Sequence, residues 1–301
     1  MNRSIRQEYI DLIKDINYDM IENEGSRSPI TGDKFYSDFT REHINLEIDK
    51  LEDSFGAGGI KGEDTRQALE IYISILESLF KEMDFRVKMD HIDETRANLD
   101  VENCDFIKTC PRKKGGLCLR GRYILSAASS IGPPLDARIV FIGKNRKSCF
   151  LRLNIKPRAE GSNGPKRGSE PTDLEIGSSS TPGFNSYVKE ALERIKNSGE
   201  EDRFEFQKDL FTKGTLKSTK KTLSPERFWT FSNVFKSRLS RAVKDISRTH
   251  AVDVTDFSGY SNTKEKGKVN GDELISVCPV CKGFVNRSIS SKCYNCGYRF
   301  D

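Results

Sequence analysis

The sequence predicts an α+β protein built from several modules. Three observations carry this. Apolar residues recur at helical spacing before residue 82, they alternate with polar ones at a period of two between 85 and 156, and four cysteines punctuate the last 24 residues.

The elements follow in chain order. Ile5, Tyr9, Leu12, Ile13 and Ile16 recur at helical spacing, which predicts an amphipathic helix over 4–23, ended by Gly25 and Pro29. A second helix is expected over 40–55, with Ile44, Ile48 and Leu51 on one side, stopped by the glycines at 56, 58 and 59. Asp64 or Thr65 caps a third over 64–82, whose stripe is Ala68, Leu69, Tyr72, Ile73, Leu76 and Leu79. The period then changes. Phe85, Val87 and Met89 alternate with Arg86, Lys88 and Asp90, and Leu99 and Val101 alternate with Asp100 and Glu102, as in half-buried strands. A helix from Leu117 to Ser130 stops at Gly132-Pro133-Pro134. Ala137 to Gly143 and Ser148 to Lys156 then pair as strands.

The segment 157–183 holds four Pro, five Gly and five Ser with almost no apolar residues, so it cannot offset its ordering entropy and reads as a flexible linker. Helical signals return over 184–197, and Pro225 opens a further helix. A second Gly-, Ser- and Lys-rich linker spans 258–272. The expected organisation is therefore 1–156 as a helical plus α+β domain, 157–183 as linker, 184–257 as a basic helical segment, 258–272 as linker, and 273–301 as a terminal metal module.

Several function classes are excluded at this level. No stretch approaches 18 consecutive apolar residues, so no membrane span is expected. Arg3, Arg6, Glu8 and Asp11 interrupt the N-terminus, so no export signal is expected and the protein is placed in the cytoplasm. Eight cysteines in that compartment read as reduced thiols for metal or redox chemistry. No P-loop, Gly-x-Ser-x-Gly or His-Glu-x-x-His pattern occurs. His43, His91 and His250 fall in no ligand or triad spacing and read as surface or capping residues. No catalytic residue is assigned.

Cys278-x2-Cys281 and Cys293-x2-Cys296 are separated by eleven residues. Each pair places two thiolates on one edge of a tetrahedron, the geometry that zinc takes with four sulfur ligands. Gly283 and Gly297 follow the pairs and suit tight turns, while Phe284-Val285 and Tyr298-Arg299-Phe300 suit short strands. This pattern resembles a zinc ribbon. Four protein ligands fill the coordination sphere, so the zinc is a structural cofactor that stabilises a module too small to stand alone.

Cys104, Cys110, Cys118 and Cys149 form a second group, a candidate metal or redox site. The runs Asn103-Cys104-Asp105-Phe106, Leu117-Cys118 and Cys149-Phe150-Leu151-Arg152-Leu153 resemble the 4-vinyl-reductase domain superfamily and its methanogen output-domain relatives, over 64–156. The resemblance implies a domain that binds a small-molecule ligand or senses redox state. Cys104, Cys118 and Cys149 would line its pocket, with Cys110 as an additional ligand or resolving thiol. Lys108, Arg112, Lys113 and Lys114 would favour the thiolate forms.

From Arg203 to Arg248 there are twelve Lys or Arg against four Asp or Glu, interleaved with aromatic rings. That composition suits a nucleic-acid partner, whose phosphates are neutralised by cations and whose bases stack on rings. Lys236, Arg238, Arg241, Lys244 and Arg248 are the candidate contacts, and an acidic protein partner fits the same charge. The expected function is a non-enzymatic regulator in which a ligand- or redox-sensing domain is joined to a nucleic-acid- or protein-binding zinc-ribbon module. The alternatives are an adaptor of a larger complex and an enzyme using the first cysteine group.

Overall fold

The computed structural model describes residues 5–27, 29–57, 59–93, 95–106, 110, 118–133, 135–144, 148–157, 186–250, 275–277, 284–286 and 299. The chain divides into two compact units, Met1–Phe228 and Trp229–Asp301. Both helices and an antiparallel sheet are present, so the α+β class holds.

The first unit opens with α1 (Ile5–Ser26), α2 (Pro29–Phe55) and α3 (Thr65–Leu79). Helix α2 starts eleven residues earlier than its apolar stripe predicts, because Pro29 occupies the first helical position, where its fixed φ helps and its missing N–H costs nothing. Asp64 caps α3 as expected, its carboxylate accepting from the Gln67 N–H at 2.7 Å. Gly56 ends α2 at φ +62°, a left-handed conformation that glycine adopts without penalty.

Strands β1 (Arg86–Asp93), β2 (Arg96–Glu102), β3 (Leu135–Lys144) and β4 (Ser148–Pro157) form one antiparallel sheet in the order β1-β2-β4-β3. Val87, Ala97, Leu99, Val101, Leu151, Leu153 and Ile155 are buried on its inner face, and Val101 pairs with Cys149 there. Helix α4 (Leu119–Ile131) lies against β3 and α3 lies against β1. The approach of α4 is close: a Cβ on Gly121 would stand 2.4 Å from the Ile139 Cδ1.

Helices α5 (Ser186–Asn197), α6 (Glu200–Asp209) and α7 (Thr215–Thr222) belong to this first unit and pack against α1, α2 and α3. A single π-helical turn, Leu210–Gly214, joins α6 to α7. The phenylalanine rings of α6 and the π turn are core residues. Phe204 packs on Tyr9, Phe206 on Phe55 and Phe211 on His43. All three phenylalanines are buried, so they are not available to stack on bases. Helix α8 (Pro225–His250) runs from the first unit into the second, opening at Pro225 as expected.

In the second unit α8 buries Phe231, Phe235, Leu239, Val243 and Ile246. Strands β5 (Ile275–Val277) and β6 (Phe284–Asn286) form an antiparallel hairpin. The linkers predicted at 157–183 and 258–272 lie outside the described residues, apart from Pro157 at the end of β4. No helix among the described residues is long and apolar enough to cross a membrane.

Candidate functional site

The first cysteine group converges. Strand β2 ends at Asn103, which takes φ +47°, a left-handed conformation that asparagine tolerates better than most residues. The Asn103 side chain donates to the Asp84 carbonyl at 3.0 Å and holds the turn. That turn sends Cys104 and Asp105 under the sheet. Cys118 caps α4, its sulfur accepting the Gly121 N–H at 3.3 Å. Cys149 enters on β4 opposite Val101. All four of Cys104, Cys110, Cys118 and Cys149 line one cavity, with Tyr18, Phe106 and Arg120 among its other walls. The cavity is about 20 Å³, room for a single water-sized guest. The four stand as thiols in half-buried residues, with the Cys104 sulfur itself turned inward.

Among the described residues no three His, Cys, Asp or Glu side chains converge closely enough to hold a metal ion. The Cys104 thiol is pushed well up by burial, and the adjacent Asp105 carboxylate adds to this. The sequence led to the opposite expectation, a thiol lowered by neighbouring cations. Burial outweighs charge at Cys104, even though the Arg120 guanidinium opposes it. Lys108, Arg112, Lys113 and Lys114 lie outside the described residues.

Beside the thiols lies a buried ion cluster. The Lys14 Nζ is 2.9 Å from the Asp105 Oδ2, and both side chains have no exposure. Arg120 donates to both carboxylate oxygens, through Nε to Oδ1 at 3.0 Å and through Nη2 to Oδ2. Aromatic faces cage the two cations: Lys14 sits 3.6 Å from the Phe80 centroid, and Arg120 5.1 Å from that of Phe106. Burial alone would raise the Asp105 carboxyl, but Arg120 and Lys14 more than offset it and hold it at about 2. Burial lowers Lys14, with the nearby Arg120 adding to the effect against the pull of Asp105.

Arg120 also walls a second, smaller cavity, shared with His43, Glu47, Tyr72 and Tyr123. His43 is 1% exposed and lies among the rings of Phe39, Tyr123 and Phe211, so the surface role expected for it is corrected. Among the described residues neither of its ring nitrogens makes a hydrogen bond of good geometry, and the Leu210 backbone opposes the effect of burial only in part. Burial lowers its pKa to about 4, so the ring is neutral at physiological pH. Glu47, one turn along α2, accepts from the Tyr72 hydroxyl at 3.2 Å, and burial raises its pKa to about 7.

Lys14, Asp105 and Arg120 carry the electrostatics of the site, and sequence reasoning missed the two cations. One signal was present: Lys14 falls in the ridge Ile10, Lys14, Asn17, Ile21, where every other member is buried.

Cys278, Cys281, Cys293 and Cys296 lie outside the described residues, although β6 forms where Phe284-Val285 was predicted to be extended. Lys236, Arg241, Lys244 and Arg248 are exposed on α8 and Arg238 is half-buried. The chain matches no known protein family, no curated protein sequence and no solved structure.

Proposed function

We propose that the first unit is a thiol-based sensor and that it regulates a C-terminal binding module held together by zinc at Cys278, Cys281, Cys293 and Cys296. One observation carries this reading: four thiols from separate parts of the chain wall a single small cavity against a buried ion cluster. A cavity of about 20 Å³ is far below the several hundred Å³ of an organic-ligand site, so the size favours redox chemistry over an organic ligand.

The sensing step needs a two-electron oxidant, here hydrogen peroxide. One thiol reduces it, becomes a sulfenic acid and releases a first water. A second thiol then condenses with the sulfenic acid to a disulfide and releases a second water. Asp105 is bonded in sequence to Cys104 and paired with Lys14 on α1 and Arg120 on α4, so a shift of Cys104 would bear on both helices.

Thiol titration of the intact chain before and after peroxide, with mass spectrometry to locate the modified cysteines, tests the reading. Loss of thiols in pairs among Cys104, Cys110, Cys118 and Cys149, with altered hydrogen exchange in α1 and α4, supports it. Unreactive thiols, or oxidation that leaves α1 and α4 unchanged, would sink it.

A further inference from the structure

We infer that the outward side of α8 is a docking surface for the phosphate backbone of a nucleic acid. This deepens the reading of the C-terminal part as a binding module and rests on it.

The stretch Trp229–His250 carries five cations, Lys236, Arg238, Arg241, Lys244 and Arg248, against one carboxylate, Asp245. Its apolar side is occupied: Phe231, Phe235, Leu239, Val243 and Ile246 are buried. On the opposite side Asn233, Ser237, Ser240, Lys244 and Arg248 follow one another at spacings of four, three, four and four, with Arg241 next to Ser240. Such residues form one continuous ridge on a helix. At 1.5 Å per residue the ridge is about 22 Å long.

Several cations on the other helices are neutralised locally. Arg66 pairs with Glu70, Arg194 with Glu190, Lys208 with Glu205 and Lys213 with Asp209, each within one turn. On α8, Lys236, Arg241 and Lys244 have no carboxylate partner among the described residues, and Arg248 reaches Asp245 only at 4.0 Å. A helix that buries its apolar stripe and turns such weakly neutralised cations outward is complementary to a polyanion.

The pitch selects which polyanion. From Arg241 to Lys244 and on to Arg248 the charges advance by about 4.5 and 6 Å along the axis. A nucleic-acid strand presents one charge every 3.4 Å or so, so these cations meet neighbouring or alternate phosphates. Asparagine amides, serine hydroxyls and Arg or Lys head groups are also the side chains that contact phosphate oxygens. Trp229, 62% exposed, stands one turn before Asn233. Phosphate contacts carry no sequence information, so binding is expected to be independent of sequence.

The test is a salt titration of binding to a mixed-sequence DNA duplex, using the intact chain and the triple variant Arg241→Ala/Lys244→Ala/Arg248→Ala. The wild type should bind with a steep salt dependence. In the variant the slope of log affinity against log salt should be shallower by about 2.7, at 0.9 for each lost phosphate contact. Circular dichroism should show the helix content unchanged, and Arg241→Lys/Arg248→Lys should keep the wild-type slope. Duplex binding whose slope the triple variant leaves unaltered overturns this docking surface and leaves the binding-module reading intact. No duplex binding at about 50 mM salt, or tighter competition by polyglutamate than by heparin, removes the nucleic-acid partner altogether.

Discussion

Replacing Asp105 with Asn is the most revealing single change to the first unit. The side chain keeps its shape and loses the carboxylate that pairs with both Lys14 and Arg120. Removing one partner of a buried ion pair costs about 3–5 kcal/mol, because the remaining charge stays desolvated. A second route gives a compatible figure. Holding the carboxyl at about 2 instead of 3.8 is worth about 2 kcal/mol at neutral pH. Lys14 tempers the loss, since burial already lowers its pKa and it can shed its proton, whereas Arg120 cannot. Guanidinium unfolding followed by far-UV circular dichroism should therefore show a loss of about 2–5 kcal/mol at pH 7. Because the Asp105 pKa is depressed, its stabilisation is fully present above 3.8 and fades as pH falls through 2. Wild type and variant should converge over that window. A loss below about 1 kcal/mol, or a gap that persists in acid, would refute the assignment of Asp105 as the counterion of both cations.

Three further outcomes are expected. Glu47 has a raised pKa, so its contribution to stability is present below about 4.5 and is lost as pH rises through 7. Glu47→Gln should match the wild type below about pH 4 and exceed it by up to about 3 kcal/mol at pH 8, and parallel pH profiles would contradict this. Iodoacetamide at pH 7.5 should alkylate Cys104 at least about tenfold more slowly than an unperturbed cysteine, read by peptide mass spectrometry, because burial suppresses its thiolate. Asn103→Val forces a β-branched residue into the left-handed region and deletes the bond to the Asp84 carbonyl. It should cost about 1–3 kcal/mol in the same unfolding assay, and a neutral effect would show that the turn is not held there.

Much of the fold was legible because its signals are local. The alternation in β2 appears directly as buried Ala97, Leu99 and Val101, and the Asp64 cap precedes α3 as its sequence implies. Within the expected helical segment 184–257, the separate helices between Glu200 and Thr222 were not legible. The five-residue π turn slips the helical phase, so Phe204 and Phe206 before it and Phe211 within it do not form one stripe, and the dense Lys and Arg content hides what remains. The cysteine group was half legible. The place of Cys104, Cys110, Cys118 and Cys149 in the first module singled them out, but not the cations beside them. Arg120 and Lys14 read as solvated because charged residues nearly always are, and only tertiary pairing with Asp105 makes their burial tolerable.

Metal content of the intact chain, measured by elemental mass spectrometry beside a variant with Cys104, Cys118 and Cys149 changed to Ser, bears most directly on the central claim. One zinc per chain in both proteins is the predicted result, with the four cysteines of the first unit acting as thiols. Two metal ions per chain, or a metal lost on changing those three residues, would contradict it and make the first cysteine group a metal centre.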